Sequence, residues 1–418
     1  MNIIAPKGTK DILGDEVYTW QKIEEGVARV CKLFSIEEIR TPIFEHTELF
    51  SRGVGEATDV VQKEMYTFVT KGEKSLTLKP EGTAGVVRAY LEHGLYVNKQ
   101  PSKFYYVAPN FRYEQPQSGR YRQFHQFGVE YFGSASPACD AEVISVADML
   151  IKNLGIKNTT LYLNTLGGSG CRKKYNEALV GYLRQSYDRL CPTCKSRFEK
   201  NPLRVLDCKE GACQPIIDKA PSTLDTLGPE CRNHFEQLQE ILTAMGIEFK
   251  INTKIVRGLD YYTRTVFEFV TDNIHGSIGG GGRYDGLVSL LGGAQTPAAG
   301  FAMGIERLCL ALLSQNINIA EKPKCDIYIG AIGGKGFLES QKLVHGLRQK
   351  GLTAESDIIS RSVKAQMKYA DKLGAKYSVI IGDDEIVSGK VKIKNMSTSE
   401  TGEIDINEIF GFIKSKDV

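Results

Sequence analysis

Apolar residues recur at helical spacing over residues 15–34, where Trp20, Ile23, Val27, Val30, Cys31 and Phe34 fall on one side. The same period through Val143, Val146, Leu150 and Leu154 predicts a second helix, ended by Gly155. Between the two, residues 104–107 and 121–132 are dense in aromatic and β-branched side chains and predict strands. Residues 172–190 return to the helical period, with Tyr175, Leu179, Tyr182, Leu183 and Leu190 aligned. Phe235, Leu238, Leu242 and Met245 predict a further helix, stopped by Gly246. Residues 256–270 and 277–283 predict strands, and 301–313 a helix after a glycine-rich approach.

Beyond Glu321-Lys-Pro-Lys324, strand and helix alternate through residues 326–332, 338–350, 360–373 and 377–382. That order suggests a small α/β domain with a partly parallel sheet. In its second helix Ser360 is placed as the cap, with Val363, Met367, Ala370 and Leu373 inward and Arg361, Lys364, Lys368 and Lys372 outward. Cysteines and prolines concentrate between Cys191 and Cys231. The expected organisation is therefore a strand-rich core from 1–170 and 249–320, an insertion domain at 171–248, a linker at 321–325 and a C-terminal domain at 326–418.

With 418 residues the chain has room for two or three domains. Hydrophobic residues at 42% and charged residues at 25% fit a soluble globular protein. No run is long and apolar enough to span a bilayer. Pro6 and Lys7 stand where a secretory peptide needs an apolar stretch, so a cytoplasmic location is expected. A net charge of +3 excludes a wholesale nucleic-acid coat while leaving room for a local basic patch. Residues 326–418 hold 14 Lys+Arg against 13 Asp+Glu, so the solvated face of Lys390, Lys392 and Lys394 is the default there. Those lysines still suit RNA phosphates as a local patch.

The chemistry concentrates in a few stretches. Arg257-Gly-Leu-Asp-Tyr-Tyr-Thr263 packs a forked cation, a carboxylate and two phenols together, a set suited to a small polar ligand carrying phosphate or carboxylate. Around the turn at residues 115–120, strand alternation puts Arg112 and Glu114 on one face of the incoming strand. On the outgoing strand it groups Arg122, Phe124, Gln126, Gly128 and Glu130. Cross-strand ion pairs on a solvated face would account for the charges. The phenylalanine and glycine among them favour a binding floor. Taken alone, Glu81 and Thr83 decorate a Pro-Gly turn, and Ile278-Gly-Gly-Gly-Gly-Arg-Tyr-Asp-Gly286 serves either as linker or as pocket wall. Arg307 falls in a first helical turn, where the helix dipole disfavours a cation unless an anion binds there. Gly330-Ala-Ile-Gly-Gly-Lys-Gly336 lacks the first glycine and the Ser/Thr of a phosphate loop and reads as a βα turn. Cys191, Cys194, Cys208 and Cys213 form two knuckles whose thiolates could hold a structural zinc or remain free.

The heptapeptide beginning at Arg257 resembles a signature of histidyl-tRNA synthetases, and the resemblance extends from Pro6-Lys-Gly-Thr-Lys-Asp11 to the C-terminal domain. Residues 111–130 resemble motif 2 of class II aminoacyl-tRNA synthetases, Gly300–Arg307 motif 3, and Arg40-Thr-Pro-Ile-Phe44 motif 1, with Pro42 at the family's dimer interface. Residues 278–286 resemble the family's second histidine-specific motif, and residues 362–375 its anticodon-binding domain. The fold implied is α/β (α+β): a class II catalytic domain built on an antiparallel sheet with helices, a helical insertion, and a C-terminal α/β anticodon-binding domain.

The activity implied is histidine–tRNA ligation, in which L-histidine and ATP form histidyl-adenylate and the 3′ end of tRNA(His) accepts the histidyl group, releasing AMP and pyrophosphate. The resemblance assigns Arg112 and Arg257 to catalysis at the α-phosphate. It places Glu81, Thr83, Arg112, Gln126, Glu130, Arg257, Tyr261 and Tyr262 around histidine, and Arg112, Glu114, Arg120, Phe124 and Arg307 around ATP, with Mg²⁺ on the polyphosphate. Homodimerisation is also implied. Paralogues of the family act as regulatory subunits or as tRNA sensors; the former lack the C-terminal domain and lose active-site residues, and the latter carry a kinase domain, so catalysis is favoured here.

Overall fold

A computed structural model describes residues 3–56, 58–272, 274 and 276–416. The chain divides into two compact units, Met1–Ala320 and Glu321–Val418.

The first unit is built on an eight-stranded sheet. Its strands are β1 (Glu37–Glu38), β2 (Ser102–Phe111), β3 (Gln123–Phe132), β4 (Thr159–Thr165), β5 (Lys250–Ile251), β6 (Thr263–Thr271), β7 (Ser277–Arg283) and β8 (Ala298–Gly304). They lie in the order β1-β2-β3-β8-β7-β6-β4-β5. Only the two edge pairs, β1–β2 and β4–β5, are parallel. The helices are α1 (Asp15–Leu33), α2 (Thr83–Glu92), α3 (Pro137–Asn153), α4 (Pro229–Ala244) and α5 (Ile305–Ser314). The main core forms where α1, α3, α4 and α5 cover one face of the sheet. Phe127, Val129 and Tyr131 of β3 point into it, as do Phe267 and Phe269 of β6 and Phe301 and Met303 of β8.

Because side chains alternate along a strand, the residues between these turn to the other face. Besides Glu130 and Glu268, these include unusually small residues: Gly128 on β3, Gly300 and Ala302 on β8, and Gly280 and Gly282 on β7, in register with one another. The glycine-rich stretch is therefore a central strand of a sheet and not a linker. A Cβ at Gly280 would lie 2.5 Å from the Phe267 carbonyl oxygen and 2.9 Å from Arg257 Nη1, so only a bare backbone leaves Arg257 its seat.

A separate three-stranded antiparallel sheet joins Phe44–His46, Tyr66–Val69 and Ser75–Leu78. The segment between β4 and α4 contains helices Ser169–Arg184, Pro192–Lys200 and Gln214–Asp218 around a small core of its own that includes Leu179, Leu183, Cys194, Val205 and Ile217. By contrast α4 buries Phe235, Leu238 and Leu242 in the main core.

The second unit carries β9 (Ile327–Ala331), β10 (Ala354–Ser356), β11 (Tyr377–Ile381), β12 (Lys390–Asn395) and β13 (Thr401–Asp405), ordered β10-β9-β11-β12-β13. β9 runs parallel to β10 and β11, and the remaining pairs are antiparallel.

Several local expectations give way to tertiary context. Residues 256–262 form no strand, because side chains serve their backbone instead of a ladder: Arg204 donates to the Gly258 carbonyl, and Arg172 to those of Asp260 and Tyr262. Residues 301–304 belong to β8, where Phe301 and Met303 alternate with Gly300 and Ala302, and the helix starts only at Ile305. The helix expected over 172–190 stops at Arg184, and Met245 is exposed beyond the end of α4. In the second unit the helix is Val363–Lys372. Ser360 sits before it at φ 56°, and Val363 faces solvent. The buried position falls to Gln366, whose amide bonds both the N–H and the carbonyl of Ala331.

Candidate active site

Two adjoining cavities open on the glycine-lined face. The first, of about 350 Å³, is lined by Glu81, Thr83, Arg112, Gln126, Glu130, Arg257, Tyr261 and Tyr262, the whole set anticipated around histidine. The second, of about 320 Å³, is lined by Arg112, Glu114, Arg120, Phe124 and Arg307, the whole set anticipated around ATP. Arg112, Gln126 and Arg257 line both.

Glu130 lies at the bottom of the first cavity, 1% exposed. It accepts from the Thr83 hydroxyl at 2.7 Å, from the Tyr106 hydroxyl at 3.3 Å, and from Tyr284. Burial pushes its carboxyl up to about 8; hydrogen bonds from Tyr284 and Thr83 oppose this and the charge of Glu81 adds to it. Glu81 receives the first free N–H groups of α2, those of Thr83 at 2.8 Å and Ala84 at 2.7 Å, so the helix start fixes its carboxylate. Burial raises this carboxyl too, with those backbone bonds opposing. Tyr261 and Tyr262 pack with ring centroids 4.7 Å apart, and Tyr261 reaches Glu81 at 3.5 Å. Burial holds both phenols above their ordinary range, so they stay protonated donors at neutral pH. The result is a pocket with carboxyl groups at one wall and phenols at another, a fit for a ligand bearing an ammonium and a small polar ring.

Around the second cavity the cations are restrained. Arg112 donates to the Pro80 carbonyl at 2.8 Å, faces Glu114 at 3.7 Å, and lies 5.4 Å from the Phe124 ring centre. Arg120 faces Glu114 at 3.5 Å. Gln126 accepts from Asn110. Arg257 pairs with Glu268, and its Nε is buried with no partner of its own. Burial works against the Arg257 charge, yet Glu268 and Tyr262 hold the guanidinium firmly protonated. Arg307 sits in the first turn of α5 and donates to the Ser277 carbonyl. Four arginines, Arg112, Arg120, Arg257 and Arg307, line this cavity beside Glu114, Asp207, Glu268 and Glu306, and their forked donors suit phosphate oxygens.

Not every residue of the expected binding face reaches the cavities. Arg122 turns away: its guanidinium lies 3.9 Å from the Tyr113 ring centre and bonds backbone carbonyls of Glu114 and Lys7. Arg283 of the glycine-rich motif is fully buried on the opposite face, paired with Asp140 at 2.7 Å and Asp285 at 3.0 Å, whereas the next residue, Tyr284, lines the first cavity. Sequence reasoning missed Tyr106, Asp59, Arg197, Arg204 and Asp207, all of which line that cavity. The signal for Tyr106 was the glycine facing it, Gly128, which only the strand register reveals.

The four thiols come together. Sulfurs of Cys191, Cys194, Cys208 and Cys213 lie within 4.8 Å of one another, and Cys191 Sγ is 3.8 Å from Cys208 Sγ. A tetrahedron with Zn–S bonds of ~2.3 Å has edges of about 3.8 Å, so the set has the dimensions for zinc.

The histidyl-tRNA synthetase family model matches residues 8–308, and an anticodon-binding-domain model matches residues 326–416. A histidine–tRNA ligase of Acetivibrio thermocellus is 55% identical, the alignment spanning 98% of this chain and 99% of that protein. One from Clostridium perfringens is 53% identical over 99% of this chain and 100% of its own length. The crystal structure of the apo histidyl-tRNA synthetase of S. aureus superposes with a TM-score of 0.85 at 39% identity, covering 99% of this chain and 100% of that one. On that match and this geometry, the chain belongs to the histidyl-tRNA synthetase family.

Proposed function

We infer that the chain is a histidine–tRNA ligase: it activates L-histidine with ATP and transfers the histidyl group to the 3′ end of tRNA(His). One observation carries the site reading: the residues expected around histidine and those expected around ATP line two cavities that share Arg112 and Arg257. An amino acid in the first and a nucleotide in the second bring the carboxylate and the α-phosphorus together beside those two cations. The carboxylate attacks phosphorus, pyrophosphate leaves, and the terminal ribose hydroxyl of tRNA then attacks the mixed anhydride, releasing AMP. No covalent enzyme intermediate is needed. Positioning and cationic stabilisation of charge on the phosphate oxygens supply the catalysis.

In this reading Arg112 and Arg257 flank the α-phosphate, Glu114, Arg120 and Arg307 hold the rest of the polyphosphate, and the adenine stacks on Phe124. Glu81 and Thr83 take the α-ammonium, and Gln126, Glu130, Tyr261 and Tyr262 surround the imidazole. Mg²⁺ fits the second cavity, since Glu114 and Glu268 line it and offer the hard oxygens that complete a coordination shell begun by phosphates; the ion would neutralise charge on the polyphosphate. Cys191, Cys194, Cys208 and Cys213 hold a structural Zn²⁺. Residues 1–170 and 249–320 perform the chemistry, 171–248 form an insertion whose last helix, α4, packs back into the main core, and 326–418 read the anticodon arm.

The chain acts as a cytoplasmic homodimer. Ile43 and Phe44, beside the motif 1 proline, are exposed together with Phe68 and Val69 on the three-stranded sheet, an apolar patch of the kind that a partner covers. Among the described residues no helix is long and apolar enough to cross a membrane. The deciding experiment is ATP–pyrophosphate exchange measured against each proteinogenic amino acid. Exchange with histidine alone is the expected result. A folded, Mg²⁺-supplied protein that exchanges with none would turn the reading to a regulatory paralogue.

A further inference from the structure

We propose that the four-cysteine centre is a positioning device for histidine activation: by closing the loop between its two knuckles, bound Zn²⁺ holds the Arg257 segment in place. The inference rests on the zinc reading above and goes beyond it, from a structural metal to one that sets substrate affinity.

The two cysteine pairs bracket residues 195–207, and that stretch supplies a wall of the first cavity through Arg197, Arg204 and Asp207. Its middle grips the active-site segment directly. Arg204, 9% exposed, donates from Nη1 to the Gly258 carbonyl at 2.8 Å and from Nη2 to Asp59 at 3.1 Å. Arg197 donates to the same Asp59 oxygen at 3.3 Å and to the Arg204 carbonyl at 3.1 Å. Asn201 donates to the Asp260 carboxylate at 2.8 Å. Gly258 and Asp260 lie between Arg257 and Tyr261, in the stretch whose backbone has no sheet ladder to hold it.

Physical chemistry gives the metal its role. Free thiols offer only weak hydrogen bonds, whereas four Zn–S bonds clip the ends of the loop and remove its conformational freedom. With the clip open, Leu203, Val205 and Leu206 still pack in the small core, but the ends of the loop are freed and the grip of Arg204 and Asn201 on the segment over Gly280 loosens. Arg257, Tyr261 and Tyr262 then lose their pre-organisation for histidine. The ATP-side groups come from elsewhere, Arg112 and Glu114 from the segment after β2, Phe124 from β3 and Arg307 from α5, and of the loop only Asp207 lines their cavity. Because Tyr261 and Tyr262 line only the first cavity whereas Arg257 lines both, the KM for histidine should respond more than the KM for ATP.

The test uses full-length protein purified without chelator. Zinc is measured by mass spectrometry. The metal is then stripped with a thiol-competitive chelator, Mg²⁺ is resupplied, and both KM values are read by ATP–pyrophosphate exchange. Stoichiometric zinc is expected, with a rise of about tenfold or more in the histidine KM on stripping, a smaller change for ATP, and recovery on adding Zn²⁺. Arg204→Ala should keep its zinc and reproduce the histidine effect, with Arg204→Lys intermediate. Protein that neither carries nor takes up zinc ends the zinc reading and this inference with it. Bound zinc whose removal leaves the histidine KM unchanged overturns the inference alone. If stripping unfolds the chain, the zinc-loaded Arg204→Ala protein decides, and a wild-type histidine KM there overturns it.

Discussion

The Thr83 hydroxyl donates to Glu130 Oε1 across 2.7 Å, tying the first turn of α2 to the floor of the central sheet. Since the Thr83 and Ala84 N–H groups also fix Glu81, one helix start sets both carboxylates of the pocket.

Glu130 gives a pH signature. Its carboxyl is raised from 4.5 to about 8 by burial, so the folded chain holds this proton more tightly than the unfolded chain does. Stability from this group is therefore fully present at acid pH and is lost as pH rises from about 4.5 to about 8, with no further loss above. Glu130→Gln should remove that loss: its melting temperature relative to wild type should be higher at pH 8 than at pH 5 by about a few degrees. Thermal melts across pH check this. An offset that does not change with pH assigns the titration to another group.

Arg257 separates chemistry from stability. It shares a partly buried contact with Glu268, so Arg257→Ala alone leaves that carboxylate without its cation and should lower stability as well as activity. Combining Arg257→Ala with Glu268→Gln removes the stranded charge. The double variant is expected to regain thermal stability while ATP–pyrophosphate exchange stays about 10²–10³-fold below that of Glu268→Gln alone. Activity that returns together with stability would make Arg257 a structural residue.

The ring of Tyr106 is clamped between two glycines. A Cβ at Gly128 would stand 2.2 Å from Tyr106 Cζ, and one at Gly82 2.3 Å from the same atom. The ring has no side to retreat to. Gly128→Ala is expected to cost about 1–3 kcal/mol of stability and to pull the Tyr106 hydroxyl from Glu130, raising the histidine KM. Tyr106→Phe keeps the ring and should leave stability near wild type. Equal losses of stability in the two variants would mean that the hydroxyl, not the clamp, carries the effect.

How far the sequence reveals this arrangement depends on the range of the forces involved. The pattern at Trp20, Ile23, Val27 and Val30 is local, and α1 lies where the period puts it. The face shared by Gln126 and Glu130 follows from strand alternation alone. Residues 256–262 could not be read this way: β-branched and aromatic residues suggest a strand, but Arg172 and Arg204, distant in sequence, take up the backbone. Gln366 is a similar case, a polar residue buried because it completes the bonding of Ala331. The glycines of β7 read either as linker or as pocket wall, because nothing local distinguishes a flexible glycine from one that floors a pocket.

The two units predict a division of labour. Glu321–Val418 has a core of its own around Ile327, Ile329, Val379 and Ile381, and both cavities lie wholly within Met1–Ala320. Removing residues 326–418 should therefore leave histidine-dependent exchange largely intact. Charging of tRNA is different, because a tRNA held at two places gains affinity from the linkage between them, commonly ~10²-fold or more. Aminoacylation at limiting tRNA is expected to fall by about that factor, chiefly through the KM for tRNA. Exchange and aminoacylation measured on one truncated preparation check this. Parallel losses in both assays would mean that the second unit supports the catalytic fold and does not act as a separate tRNA-binding module.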